Sequence, residues 1–352
     1  MIRGLPLAMC CAMSFFLGLP AEAADPPADT IPAAVAHQVV DRTIELVESR
    51  GLYPRQQSEY AQAKTELLAA FDGQPIEIGR KDLYGRIRKL LDTLETNKHS
   101  FIIPAGKTLH APRQESAMQD LRPPSFKLLT TSRGTVLRWT PPAIVGGGES
   151  VISPYLKRFY DEAAARPDLA GACALVVDLS EQTGGNAWPP LVAMYPLFGG
   201  ANKANWVDRD GKRMPFVSPA RLQEMNRQYA PERVNPLVRF GSGPLAVVVG
   251  KRTASAGEML LVALLGEERV QTFGSTSYGM STANGTYPLA DGSSLVLTVS
   301  RYALGEGPVY QGGIPAMHPG AQDEPVEDAV KKAAEWAAAS SPQCAAKAPP
   351  AA

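Results

Sequence analysis

Residues 243–266, Gly-Pro-Leu-Ala-Val-Val-Val-Gly-Lys-Arg-Thr-Ala-Ser-Ala-Gly-Glu-Met-Leu-Leu-Val-Ala-Leu-Leu-Gly, leave the backbone few choices. Leu245 to Val249 is a short apolar run rich in β-branched side chains, which predicts a buried strand. Ala256 to Leu265 is dominated by good helix formers, and Gly266 supplies a C-cap. The chain between them, Gly250 to Ser255, must turn one into the other. Ser255 therefore stands on the threshold of a helix, where backbone N–H groups lack intrahelical partners and the dipole favours negative charge. A hydroxyl there can attack a carbonyl while neighbouring amides receive the oxyanion. Serine is also a preferred N-cap residue, so the position alone admits a purely structural role.

At 352 residues the chain suffices for one large or two modest domains with a real core. Its 35 basic and 35 acidic side chains balance, and no basic block or aromatic-interleaved patch points to nucleic acid. Arg3, the apolar segment Leu5 to Leu19, and Ala21-Glu22-Ala23 form a secretory signal over residues 1–23. Export, most simply to a bacterial periplasm, is the expectation. No later segment has the length of a bilayer span. Cys10 and Cys11 leave with the signal. Cys173, in an apolar run, reads as a buried thiol and Cys344 lies in a Pro/Ala-rich tail; a disulfide between them is open but unsupported. The four histidines and the absence of a cysteine cluster give no metal-ligand spacing, and no cofactor is implied.

In chain order, residues 24–104 read as a small helical region. After a Pro/Ala/Asp linker, helices are predicted over Ala33–Ser49, Ser58–Phe71 and Arg80–Leu94 from apolar residues at helical spacing. His99 follows in Asn97-Lys98-His99-Ser100-Phe101, where helix gives way to an extended segment. Residues 105–125 read as loop. Residues 105–340 then alternate strands with helices, an α/β pattern. Phe126–Leu129 and Thr135–Trp139 form a hairpin, Pro154–Ala165 a helix, and Ala172–Asp178 a buried strand. Gly184-Gly185 after that strand lets backbone approach a ligand closely, although an ordinary strand–helix turn fits as well. Residues 200–243 are polar and read as a long insertion or flap over a cleft, and a guess from composition puts Tyr278 and Trp206 on that cleft. Asp291-Gly292 signals a hairpin between Thr286–Leu289 and Ser294–Ser300. The helix Val326–Ala338 precedes a disordered-looking tail at 341–352.

Several of these segments together resemble the S41 family of serine peptidases, the tail-specific and tricorn-core-like group. Asp178-Leu-Ser-Glu-Gln-Thr-Gly-Gly-Asn186 is similar to the family's strand-ending Asp-Leu-Arg-x-Asn-x-Gly-Gly motif, and Thr253-Ala-Ser-Ala-Gly-Glu258 to its nucleophile motif. Phe273-Gly274, Thr286–Thr298, Gly312-Gly313-Ile314 and Asp323–Val330 follow in the family's order, so the resemblance covers roughly residues 90–340. It implies a ClpP/crotonase-like α/β core with extra N-terminal helices, here without a PDZ-length insertion. It also implies a peptide or protein substrate; oligomeric state is not legible.

The resemblance assigns roles residue by residue. Ser255 takes the nucleophile's place, and the Ala256 N–H with Gly184 or Gly185 the oxyanion hole. The lysine that one branch of the family carries after Phe-Gly is Ser275 here, which argues against a Ser–Lys dyad. The other branch uses a histidine in a segment like Asn97–Phe101, which makes His99 the expected general base. Its orienting carboxylate precedes the Gly-Ile motif, where this chain has Gln311; Glu306 is the nearest acidic substitute. Two rival readings remain. One is a catalytically weak or inactive peptide-binding protein. The other, an α/β-hydrolase esterase, lacks the first glycine of its nucleophile elbow.

Overall fold

A computed structural model describes residues 28–346 except 56, 72, 74–75, 96–97, 108–122 and 145–147. The expected signal at 1–23, Asn97, most of the 105–125 loop and the end of the tail lie outside the described residues.

The first part of the chain forms β1 (Thr30–Pro32), α1 (Ala33–Ser49), α2 (Ser58–Ala69), β2 (Glu77–Gly79), α3 (Arg80–Leu91) and β3 (Phe101–Ile103). Next come β4 (Ser125–Thr131), β5 (Gly134–Thr140), α4 (Ile152–Ala164), β6 (Ala174–Asp178) and α5 (Trp188–Ala193). They are followed by β7 (Ala204–Asp208), β8 (Arg213–Pro215), α6 (Pro219–Tyr229), β9 (Leu245–Val249), α7 (Ala256–Leu265) and β10 (Val270–Gly274). The chain closes with β11 (Thr282–Pro288), β12 (Ser294–Leu304), β13 (His318–Pro319), α8 (Val326–Ser340) and the short α9 (Pro342–Ala345).

One six-stranded sheet has the order β13-β10-β9-β6-β5-β4. Its strands are parallel except for the β4–β5 hairpin at one edge. Helices cover both faces, which is why β9 throughout, and β6 up to its last residue Asp178, are continuously apolar rather than alternating. Ala174, Val176, Ala246 and Val248 meet the alanine-rich face of α8. Leu175, Val177, Leu245, Val247 and Val249 enter the larger core with α4, α5 and α7. Each fully buried Val or Leu contributes on the order of 1.5–3 kcal/mol by leaving water. The architecture is the expected α/β core with a helical N-terminal region.

A second, five-stranded sheet runs β11-β12-β7-β8 with β3 on β12, all antiparallel. Residues 200–243 supply β7, β8 and α6 to this framework, so they form packed structure rather than the expected flap. Their polarity reflects strands and a helix with one solvent face. The N-terminal helices share a core with the β11–β12 hairpin: Val39, Val47, Leu83, Ile87 and Leu90 pack in one cluster with Leu289, Leu295 and Leu297. Arg80 and Tyr84 both bond the buried Asp291 carboxylate at the hairpin tip. His99, between α3 and β3, is thereby attached to the second sheet.

Cys173 and Cys344 are joined by a disulfide, which corrects the reading of Cys173 as a free thiol. The start of the expected tail is also ordered, since α9 follows α8 back over the sheet and leaves Cys344 buried. The pairing arises because α8 crosses the sheet and returns the chain end to the start of β6, where the Ser341 hydroxyl bonds the Cys173 carbonyl at 2.6 Å. Cys173→Ser, or reduction, is expected to lower stability by about 2–4 kcal/mol. Urea unfolding with and without reductant measures this, and coincident curves would contradict a constraining bond.

Candidate active site

The turn after β9 holds Ser255 at φ 51° and ψ −112°, a left-handed conformation that costs a residue with a side chain on the order of 1–3 kcal/mol. The surroundings enforce it. The Ala254 N–H donates to the Gln182 carbonyl at 3.0 Å, tying the turn to the loop after β6. Gly257 lies so close to that loop that an added Cβ would come within 2.2 Å of the Gln182 oxygen. Gly184, at φ +122°, faces the serine, and a Cβ there would stand 3.1 Å from Ser255 Cβ. The sequence of small residues around Ser255 thus permits the close approach that exposes its hydroxyl at the helix N-terminus.

His99 reaches this serine from the other side. Its Nε2 lies 3.1 Å from Ser255 Oγ, and its Nδ1 lies 2.6 Å from the Thr282 hydroxyl. The main-chain carbonyl of His99 accepts from Asn284 Nδ2 at 3.0 Å. Thr282 and Asn284 alternate along β11 and present one face to the histidine. Burial lowers the imidazole pKa from 6.5 to about 4, so the ring is neutral at neutral pH. In the tautomer with the proton on Nδ1, Thr282 accepts that proton and the Nε2 lone pair faces Ser255.

Neither expected orienting residue occupies the third place. The Glu306 side chain is 95% exposed and lies 3.6 Å from Arg213, so it does not turn toward His99. Gln311 is exposed, and His99 Nδ1 is already engaged by Thr282. The sequence assignment followed chain spacing before Gly312-Gly313-Ile314, whereas the loop presents another edge to the site. Nothing in the sequence singled out Thr282.

Glu258, three residues beyond the serine on α7, is fully buried. Its Oε2 accepts the Ser255 N–H at 3.1 Å, the reciprocal half of an N-terminal capping box that the spacing Ser-x-x-Glu makes legible. Oε1 lies 2.6 Å from Ser277 Oγ, 2.9 Å from the Gly279 nitrogen and 3.2 Å from Ser281 Oγ. Burial raises its pKa, and these donors oppose the shift.

The Ala256 N–H, at the first helical position, has no intrahelical acceptor. Of the two glycines, Gly184 turns its N–H toward Gln182 Oε1 at 3.3 Å, while Gly185 pairs with Ile144 in an isolated bridge. Trp188, just beyond, meets Trp206 edge-on at 6.3 Å, and Trp206 stacks on Phe216 at 5.4 Å. Tyr278 is 61% exposed, and its N–H is fixed to the Thr253 carbonyl at 2.8 Å. Among the described residues no group of three or more His, Cys, Asp or Glu could hold a metal ion.

A strained serine at a helix N-terminus, addressed by a neutral half-buried histidine, is the arrangement of a serine hydrolase. Residues 152–315 match the model of Peptidase family S41, and this segment is similar to that family. His99 lies outside the matched residues. The nisin-resistance protein of Lactococcus lactis subsp. lactis is 29% identical over 126 residues, 35% of this chain and 38% of that protein. The chain thus spans well under half of that curated relative's length. A lipoprotein from Streptococcus agalactiae has a similar fold at TM-score 0.63 and 19% identity, covering 91% of this chain and 99% of that one. The photosystem II D1 C-terminal processing protease follows at TM-score 0.52 and 15% identity, covering 85% and 97%.

The histidine's setting is directly measurable. NMR titration of His99 is expected to give a midpoint near 4. Thr282→Asp, which sets a carboxylate against Nδ1, is expected to move that midpoint upward. An ordinary midpoint in the unsubstituted protein would contradict the burial of the ring.

Proposed function

We propose that the protein is an exported serine endopeptidase in which Ser255 is the nucleophile and His99 the general base. The observation that carries this reading is the 3.1 Å separation of His99 Nε2 and Ser255 Oγ. His99 takes the hydroxyl proton as Oγ bonds to the peptide carbonyl carbon. The oxyanion forms beside the Ala256 and Gly185 amides, with Gly184 available once its weak contact to Gln182 opens; losing one such donor typically costs about a hundredfold or more. His99 returns the proton to the departing amine, and water then hydrolyses the acyl-enzyme with the histidine again as base. Thr282 holds the tautomer but stabilises the imidazolium less than a carboxylate would.

Export is supported by the signal-like N-terminal sequence and by a disulfide, a bond that persists in oxidising compartments. The likeness to a lipoprotein and a nisin-resistance protein agrees with a place at or outside the cell envelope. Among the described residues no helix is long and apolar enough to cross a membrane. A peptide substrate follows from the family, and cleavage near a C terminus is the tail-specific form of the same reading. One observation favours a second reading, a peptide-binding protein with little or no turnover: a neutral hydroxyl stands where an orienting carboxylate was expected.

Labelling of the purified protein by a fluorophosphonate tests the reading. The label is expected on Ser255, abolished by Ser255→Ala and strongly slowed by His99→Ala. Its rate is expected to rise with pH through about 4, because the base must be deprotonated and burial depresses its pKa. Peptide binding by calorimetry without any Ser255-dependent label would favour the second reading.

A further inference from the structure

None of the hydrogen bonds of Glu258 reaches His99, yet they join both sides of the seam across which the serine and histidine meet. One oxygen accepts the N–H of Ser255 itself. The other gathers Ser277, Gly279 and Ser281, and the chain runs from Ser281 directly into Thr282, the residue against His99 Nδ1. The same segment is pinned elsewhere. Ser277 Oγ accepts the Ile314 N–H at 2.7 Å, and Ser281 Oγ lies 2.8 Å from the Gly312 carbonyl. Every group facing the Glu258 carboxylate can donate a hydrogen bond, which suits an ionised, acceptor-only side chain. Its place in the first turn of α7 suits negative charge as well.

We propose that Glu258 is a positioning residue, which sets the Ser255–His99 separation by fastening the nucleophile's backbone to the segment that delivers Thr282. The proposal rests on the Ser255–His99 reading above. It assigns the buried carboxylate a task beyond capping a helix, because a cap requires only the bond to Ser255 and leaves the three contacts across the seam without purpose. Glutamine cannot replace it. An amide turned to satisfy Gly279 and the two hydroxyls sets its NH₂ against the Ser255 N–H. The opposite flip sets NH₂ against the Gly279 N–H. Either way two donors face each other at hydrogen-bond distance.

A double-mutant cycle read by the rate of fluorophosphonate labelling tests this. Glu258→Gln is expected to slow labelling about tenfold to a hundredfold, the scale on which small misplacements of reacting groups act. In a His99→Ala background, where there is no base left to position, the same substitution is expected to change the residual rate by less than about twofold. Ser277→Ala, which removes the shortest contact and keeps the carboxylate, should give a smaller loss with the same dependence on His99. It serves as the test if Glu258→Gln does not fold. Wild-type rates in Glu258→Gln, or equal fold losses with and without His99, would overturn the positioning role while leaving the dyad intact. A wild-type protein that takes no label on Ser255 would overturn both.

Discussion

Much of this structure follows from holding one serine in a conformation it disfavours. Ser255 adopts a positive φ at the junction of strand and helix, and such a conformation persists only where its neighbours over-determine it. The restraint comes from the loop after β6, whose Gln182 carbonyl bonds the turn and packs hard on Gly257. Two parallel strands, β6 and β9, are thus joined at their carboxyl ends as well as along their ladder. Ligands of open α/β sheets gather at that end of the strands. The restraint that exposes the hydroxyl also brings Gly184 up against it.

The histidine obeys different constraints. It belongs to the N-terminal region by sequence and to the second sheet by contact, since β11 holds both its ring and its carbonyl. Desolvation keeps the imidazole neutral, and its Nδ1 meets a hydroxyl rather than a carboxylate, which would favour the charged form. A hydroxyl partner fixes direction at little electrostatic gain, so the site favours a free base over a stabilised imidazolium. The burden of precise placement then shifts to packing and hydrogen bonds around the pair.

Sequence reading reached the parts that local chemistry determines. The strand–turn–helix around Ser255, the double glycine after β6 and most helices could be read because apolar periodicity and glycine placement act over short stretches. His99 was reached through a short family-like segment rather than from its own chemistry. Thr282 stayed hidden: a threonine in a Ser/Thr/Gly-rich run carries no local mark, and its role comes from strand pairing across distant parts of the chain. Glu306 and Gln311 were chosen by spacing along a loop, and spacing does not say which way a loop faces. The disulfide stays an open possibility in the sequence for a related reason, because its two halves meet only after α8 has crossed the sheet.

The core shared by the N-terminal helices and the β11–β12 hairpin bears on how the molecule comes into being. Val39, Ile87 and their neighbours are completed by Leu289, Leu295 and Leu297, residues made when most of the chain has been synthesised. Contacts of such long sequence separation form late. During synthesis, the histidine segment has no sheet to rest on until β11 and β12 have been made. The nascent chain therefore carries its serine and its histidine unassembled, and the pair comes together only as folding of the whole chain is finished.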